Sequence, residues 1–238
     1  MRYRLLILPL VFLVACTQPD AQRIVDRSVD YYNMEKLQDA TLEFKFRNFQ
    51  LRATQGEGKF KYERMFTDST GKVHDILTND GFKRTVNGEE QKLDKEQIDK
   101  YSRSVNALFY FVYLPLKLND QAVNKKYLGE TLIKNKPYHK LEISFTKDGG
   151  GEDHEDIYYY WFDTADYSMD HFAYSTGGNR FRSVSGTHEV NGVKFQDYIN
   201  YQSPAGDSLT PVHKYDSLYS AGKLRELSKI EMENIVVR

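Results

Sequence analysis

The sequence predicts an α+β fold in which a helix precedes one large curved antiparallel sheet of about ten strands and a further helix interrupts that sheet. Three observations predict this fold. Apolar residues recur at helical spacing over residues 21–34 and then alternate with polar residues from Thr41 onward. Pairs typical of β-hairpin turns, Asn87-Gly88 and Asn191-Gly192, separate the alternating segments. A single apolar stripe at helical spacing follows Asp94.

The chain opens with the pattern of a bacterial lipoprotein signal. Arg2 and Arg4 precede an apolar run that ends in Leu13-Val14-Ala15-Cys16. This run of about ten apolar residues is too short to span a bilayer, which needs roughly 20 residues. The last four residues match a lipobox, in which the cysteine receives acyl chains such as palmitate. We therefore expect residues 1–15 to be a signal peptide, Cys16 to be lipidated, and residues 16–20 to be a tether.

The residue after Cys16 bears on location. An aspartate at this position would favour retention in the inner membrane, and the chain has Thr17. We therefore expect an outer-membrane lipoprotein, on the periplasmic face rather than the cell surface. Cys16 is the only cysteine, so a lipidated chain would have no free thiol and no disulfide.

Composition restricts the remaining chain to a few classes. Residues 21–238 suit a single domain, which we expect to be a monomer. The formal net charge is −1, which gives no electrostatic footprint for nucleic acid. Aromatic residues make up 14% of the chain, with 18 tyrosines and 14 phenylalanines. That many rings can fill a large core or line an apolar cavity.

The alternation in the first strands changes phase. Apolar residues occupy even positions from Leu42 to Phe46 and odd positions from Phe49 to Ala53. This change of phase predicts one long strand with a β-bulge near Arg47-Asn48. At the other end of the chain, the pattern predicts a single last strand over residues 227–237.

The inserted helix has clear signals at both ends. Asp94 and Gln97 have the spacing of a capping box, and Pro115 predicts that the helix stops before it. Residues 107–114 are apolar on every side of the helix. This half of the helix is therefore expected to be buried all round, or to plug something apolar.

The order of elements, the hairpin at residues 190–195 and the closing strand resemble the LolA and LolB fold. That resemblance implies a strongly curved, incomplete β-barrel with an N-terminal helix and an inserted helix that covers the open side. It also implies an apolar concave face that holds the acyl chains of lipids or lipoproteins. No catalytic motif accompanies the resemblance.

Several segments also resemble a family of uncharacterised lipoproteins from Gram-negative bacteria, which carries a domain-of-unknown-function label. This resemblance extends over nearly the whole chain after Cys16 but implies no chemistry. The segments are residues 106–115, 118–120, 150–156, 195–201 and 226–231.

Aromatic residues of two strands and the inserted helix are the first candidate site. Tyr158, Tyr160 and Phe162 are expected to share one face of a strand. One interpretation is an apolar cavity for a ligand, and the alternative is a packed core between sheet and helix. The candidate cavity residues are Phe109, Phe111, Leu114, Tyr158, Tyr160, Phe162, Phe172 and Tyr174.

An acidic loop is the second candidate site. Glu152, Asp153, His154 and Asp156 follow three glycines and could bind a divalent cation. Their spacing matches no EF-hand loop, and the alternative is a solvated acidic loop at the start of a strand.

No motif of a hydrolase is present: the chain has no Gly-x-Ser-x-Gly and no His-Glu-x-x-His. The sequence implies no cofactor. We therefore expect a non-enzymatic, lipid-anchored envelope protein that binds an acyl chain or lipid and no nucleic acid. One alternative is a packed β scaffold with a structural or protein-interaction role. A second is a metal-dependent enzyme that uses the loop at residues 152–156.

Overall fold

The computed structural model describes residues 20–147, 155–175 and 177–238. The signal peptide, Cys16 and residues 152–154 lie outside these ranges, so the expectations for them stay predictions. None of the helices within the described ranges is long and apolar enough to cross a membrane.

The N-terminal helix is present as predicted. Helix α1 (Ala21–Tyr32) begins at Asp20, whose carboxylate accepts a hydrogen bond from the backbone N–H of Gln22. Its apolar face is buried and packs against strands of the second sheet described below. The helix ends before Met34, because Asn33 adopts a left-handed backbone conformation with φ of 53°. A 3-10 turn then leads to the first strand.

The strands form two seven-stranded antiparallel sheets, so the expectation of one sheet with about ten strands is wrong. The fold is mostly antiparallel β, as predicted, and the fourteen described strands close no barrel. The strands of the first sheet, in spatial order, are β14 (Glu233–Val237), β1 (Thr41–Phe46), β2 (Phe49–Gly56), β3 (Lys59–Asp68), β4 (Gly71–Thr78), β5 (Gly81–Val86) and β6 (Glu89–Glu90).

The strands of the second sheet, in spatial order, are β13 (Arg225–Ile230), β12 (Val193–Gln202), β11 (Arg180–Val190), β10 (Met169–Tyr174), β9 (Tyr158–Asp163), β8 (Lys136–Phe145) and β7 (Val123–Ile133). The segment predicted as one last strand is two strands. β13 pairs with β12 and β14 pairs with β1, so this segment passes from the edge of one sheet to the edge of the other.

The expected β-bulge at Arg47-Asn48 is a hairpin turn. β1 and β2 pair with each other, and Phe46 lies opposite Phe49. Arg47 takes the positive φ of 55° that this tight reversal requires. A two-residue turn and a bulge produce the same change of phase in the sequence, because each inserts residues outside the alternation.

Helix α2 (Lys95–Val112) connects the two sheets, and its capping box at Asp94 and Gln97 is confirmed. Phe109 stacks on Tyr62 of β3, with 4.4 Å between ring centres. Phe111 stacks on Phe172 of β10 at 5.6 Å. The helix therefore packs against the inner faces of both sheets.

Of the two expectations for the second half of α2, burial on every side is wrong. Ala107 is exposed, and Leu108 and Phe111 are half-buried. These residues are accessible because they face an open cavity, described in the next section.

The aromatic strand β9 separates two cores. Tyr158, Tyr160 and Phe162 belong to the main core between the sheets and helices. Tyr159 and Trp161 belong to a smaller core on the opposite face of the sheet. The predicted alternation along this strand is therefore confirmed. A short helix that the sequence did not suggest, α3 (Tyr215–Ser220), contributes the buried ring of Tyr215 to the smaller core.

Candidate functional site

A cavity of about 380 Å³ lies between α2, the β1–β2 hairpin and the inner face of β11, β12 and β13. Its volume is within the range of small-molecule pockets, roughly 300–1,000 Å³. Exposed residues at its boundary, such as Arg47 and Ala107, show that it is open to solvent. The lining residues are Tyr32, Met34, Phe44, Phe46, Arg47, Phe49, Arg64, Ser104, Ala107, Leu108, Phe111, Val112, Leu114, Arg182, Lys194, Phe195, Gln196, Tyr198, Asn200, Ile230 and Met232.

Apolar side chains form most of the wall, and each element contributes some of them. Phe44 comes from β1, Leu108 and Val112 from α2, and Phe195 from β12. Met232 comes from the segment between β13 and β14 that joins the two sheets. A ligand that fills this space would therefore bury mainly apolar surface.

The charged side chains of the lining are all cations. Arg47, Arg64, Arg182 and Lys194 line the cavity, and none of the described aspartates or glutamates does. The tyrosines add no negative charge at ordinary pH, because burial raises the pKa of Tyr32 and of Tyr198 above the usual value for a phenol. The electrostatic character of the cavity is therefore positive.

Arg64 is neutralised from within the first sheet. Its Nη2 lies 2.7 Å from Oδ2 of Asp75, which is fully buried. Its Nη1 donates to Oγ of Ser104 on α2, also at 2.7 Å. Arg84 binds the same carboxylate, with Nε 2.6 Å from Oδ1 of Asp75. This network joins α2 to the first sheet and leaves Arg64 with its hydrogen bonds satisfied.

Arg182 has no such carboxylate. Its guanidinium carbon lies 4.1 Å from the centre of the Phe111 ring, and its Nη2 donates to the hydroxyl of Tyr174 at 2.8 Å. Its Nε is buried without a hydrogen-bond partner. Within the described residues, no carboxylate oxygen lies within 4.0 Å of this guanidinium.

Asn200 lies opposite Arg182 on the neighbouring strand. The two residues are paired in the register of β11 and β12, and both line the cavity. Asn200 is only 8% exposed, and its Oδ1 has no hydrogen-bond partner. None of the described residues pairs with this buried amide oxygen, so a hydrogen-bond donor placed here would be stabilising.

Two of the eight predicted cavity residues line the cavity: Phe111 and Leu114. The other six are covered by packing in the main core and do not line the cavity, and two of them, Phe172 and Tyr174, lie against the ring of Phe111. The packed-core alternative therefore describes this layer, and the open space lies beside it. The six covered residues are Phe109, Tyr158, Tyr160, Phe162, Phe172 and Tyr174.

Sequence reasoning missed Arg182 and Asn200. One signal was available for Arg182, which stands between Phe181 and the Ser183-Val184 pair in an alternating strand. The alternation places this cation on the same face as Val184, toward the main core. Its pairing with Asn200 depends on the register of two strands and was not visible in the sequence.

The acidic loop is described only in part. Asp156 accepts a hydrogen bond from Oγ of Ser175 at 3.3 Å. The part of the chain that the structure describes contains no group of three or more side chains arranged to hold a metal ion. Glu152, Asp153 and His154 lie outside that part, so a cation site in this loop stays a prediction.

One of the solved structures that match this chain supports the expected fold. A LolA superfamily protein from Nitrosomonas europaea matches with a TM-score of 0.53 and 11% identity, over 93% of this chain and 94% of that one. A DUF1329 family protein from Desulfovibrio piger matches with a TM-score of 0.49 and 9% identity, over 91% and 92% of the two chains. A putative outer membrane lipoprotein-sorting protein domain from Vibrio parahaemolyticus matches with a TM-score of 0.39 and 11% identity, over 76% and 86%. No curated protein matches the chain.

The family comparison covers nearly the whole sequence. The sequence profile described as "Family of unknown function (DUF6503)" matches residues 1–232. Both expected resemblances are thereby confirmed, one to a family of unknown function and one to a LolA-like fold.

Proposed function

The chain belongs to the DUF6503 family, and we propose that it is a lipid-anchored envelope lipoprotein that binds an acyl chain or lipid in the cavity beneath α2. The observation that carries this proposal is the cavity itself. It is apolar over most of its wall, open to solvent, and placed between the inserted helix and the inner faces of both sheets.

The size of the cavity favours a slender ligand. A volume of about 380 Å³ is near the lower end of the range for small-molecule pockets. One acyl chain suits this space better than the several chains of a lipoprotein. The proposed role is to bind, hold or transfer such a chain, without catalysis.

The anchor would place this cavity close to a membrane. In the proposed mature chain, residues 17–20 separate Cys16 from α1. The five residue steps from Cys16 to Ala21 span at most roughly 18 Å when extended, so the start of α1 would lie within about that distance of the lipidated residue. Tyr32 and Met34, at the far end of α1, line the cavity. We propose the periplasmic face of the outer membrane as the location, from the lipobox and Thr17.

Blocking the cavity tests the proposal. Ala107 is small, exposed and part of the cavity wall, so Ala107→Trp should fill the opening without disturbing the core. Asn106→Trp places the same ring on the next residue of α2, which is exposed and does not line the cavity. The measurement is the binding of a fluorescent fatty acid to the purified protein, together with native mass spectrometry of the lipidated protein after gentle extraction.

We expect the wild-type protein and the Asn106 variant to bind the fatty acid and the Ala107 variant to lose most of this binding. The proposal would be abandoned if the wild-type protein binds no fatty acid and carries no lipid on extraction. That result would favour a packed β scaffold with a structural role.

A further inference from the structure

We infer that the cavity selects an acyl chain with a negatively charged oxygen head group, and that Arg182 and Asn200 form the site for that head group. This inference rests on the proposed function and specifies the ligand class. It depends on the positive charges of the cavity wall and on the unpaired Nε of Arg182, a charged donor that favours an anionic oxygen as its acceptor.

The guanidinium of Arg182 has aromatic contacts but few hydrogen-bond acceptors. Arg182 is half-buried, and a cation that is partly removed from water is destabilised unless it is paired and hydrogen-bonded. Arg182 receives partial compensation from the faces of Phe111, Phe172 and Tyr174, whose ring centres lie 4.1, 5.2 and 5.2 Å from its guanidinium carbon. Its Nε nevertheless has no acceptor. The aromatic faces hold the guanidinium in place and leave hydrogen-bonding capacity for an anion.

The contrast with Arg64 shows what Arg182 lacks. Both arginines line the same cavity, and both stack on aromatic rings. Arg64 has the buried carboxylate of Asp75 and the hydroxyl of Ser104 as acceptors. Within the part of the chain that the structure describes, Arg182 has as acceptor only the hydroxyl of Tyr174. An oxygen anion in the cavity would form an ion pair with Arg182, as the carboxylate of Asp75 does with Arg64.

Asn200 supplies an independent observation. Its side chain is more than nine-tenths buried, lines the cavity opposite Arg182, and has an oxygen without a partner. A side-chain amide can present either its oxygen or its nitrogen to a ligand. It can therefore accept from a hydroxyl on the head group or donate to a second oxygen of the anion.

The rest of the lining adds positive charge and no competing anion. Lys194 lies over the ring of Tyr31 at 3.7 Å, and no ion pair with a described carboxylate holds its amine. Arg47 is exposed on the β1–β2 turn, at the opening of the cavity. These cations favour the entry of anionic amphiphiles over neutral or cationic ones.

The head group can be a carboxylate or a phosphate, since the planar guanidinium fork matches both. The test therefore compares four amphiphiles with the same chain: dodecanoate, dodecyl phosphate, dodecanol and dodecyltrimethylammonium. Each displaces a neutral fluorescent naphthylamine probe from the purified protein at pH 8. The variants are Arg182→Gln, Arg182→Lys, and Arg225→Gln as the control. Arg225 is exposed on β13 and does not line the cavity.

We expect the wild-type protein to bind the two anions about tenfold or more tightly than dodecanol, the effect of one charge-assisted hydrogen bond. Arg182→Gln should remove most of this preference while dodecanol binds as before, and Arg47 and Lys194 should sustain the remainder. Arg182→Lys should keep part of it, and Arg225→Gln should keep all of it. The tighter of the two anions identifies the head-group class.

Equal affinities for dodecanol and both anions in the wild-type protein would overturn the inference and leave the proposed function intact. So would a full preference retained by an Arg182→Gln variant that melts like the wild type. Failure of every amphiphile to displace the probe would overturn the proposed function as well.

Discussion

The guanidinium carbon of Arg182 lies 4.1 Å from the centre of the Phe111 ring, so a cation of β11 packs directly on the inserted helix α2. Phe111 also stacks against Phe172 of β10, with 5.6 Å between ring centres. The contact joins the helix to the second sheet, as Arg64 and Ser104 join it to the first. Helix α2 is thus held from both sides of the cavity that it borders.

A double-mutant cycle measures the contact between Arg182 and Phe111. A desolvated cation over an aromatic face contributes more than an exposed one, so Arg182→Gln and Phe111→Leu should show a coupling free energy of about 1 kcal/mol. Urea unfolding of the two single variants and the double variant gives this value. If the two effects simply add, the guanidinium and the ring do not stabilise each other.

The buried carboxylate of Asp75 should be among the most sensitive positions of the first sheet. Asp75→Asn removes the negative charge that Arg64 and Arg84 share, and leaves the buried Arg64 without a described carboxylate partner. We expect a loss of about 3–5 kcal/mol in the free energy of unfolding. Glu233→Gln removes one partner of an exposed ion pair with Lys45 and should cost less than about 1 kcal/mol. Similar losses of unfolding free energy for the two variants would show that the buried ion pair of Asp75 stabilises the protein no more than the exposed pair of Glu233.

Folding stability should decrease as the pH is lowered from the ordinary histidine pKa to the pKa of His171. Burial lowers the pKa of His171 from 6.5 to about 4, and the ring packs against Phe181 and Tyr138. The unfolded chain therefore takes up a proton in this window that the folded chain does not. Folding stability should be greatest above pH 6.5 and decrease by roughly 2–3 kcal/mol as the pH falls to 4.

The contribution of His171 can be isolated by substitution. His171→Phe keeps a planar ring in the same apolar surroundings and removes the titrating group. Urea unfolding at several pH values should then show a shallower slope between pH 4 and 6.5 for the variant than for the wild type. Burial also lowers the pKa of His139, which acts in the same direction, so some slope should remain. An unchanged slope would mean that His171 does not titrate as a buried neutral group.

The start of α2 should depend on its capping box. The backbone N–H of Gln97 donates to Oδ1 of Asp94 at 2.8 Å, and the backbone N–H of Asp94 donates to Oε1 of Gln97 at 3.0 Å. Asp94→Ala removes the first of these bonds and should cost about 1 kcal/mol. Lys100→Ala, an exposed substitution within the same helix, should change the free energy of unfolding by less than about 0.5 kcal/mol. Thermal unfolding of both variants tests the difference.

The helices could be predicted closely because their signals are local. The capping residues of α2 and the left-handed Asn33 after α1 lie within a few residues of the ends they determine. The sequence also indicated which faces of β9 are buried together, since alternate residues of a strand point to opposite sides. These features depend on neighbouring residues and need no knowledge of distant partners.

The alternation of apolar and polar residues could not predict which strands pair. A change of phase at Arg47-Asn48 fits a bulge within one strand or a turn between two, and only the pairing of Phe46 with Phe49 decides between them. The last segment of the chain has the same alternation whether it forms one strand or two. Its division into β13, which pairs with β12, and β14, which pairs with β1, depends on how the two sheets approach each other.

The sequence by itself determined the α+β class, the two main helices, the family and the aromatic faces. Only the tertiary structure decided which side chains border open space. Phe111 lines the cavity and Phe172 lies behind it, although both are apolar residues of the predicted site. Arg182 and Asn200 are distant along the chain and meet only through the register of two strands. A void depends on how far α2 stands from each sheet, and that distance results from long-range packing rather than from local sequence.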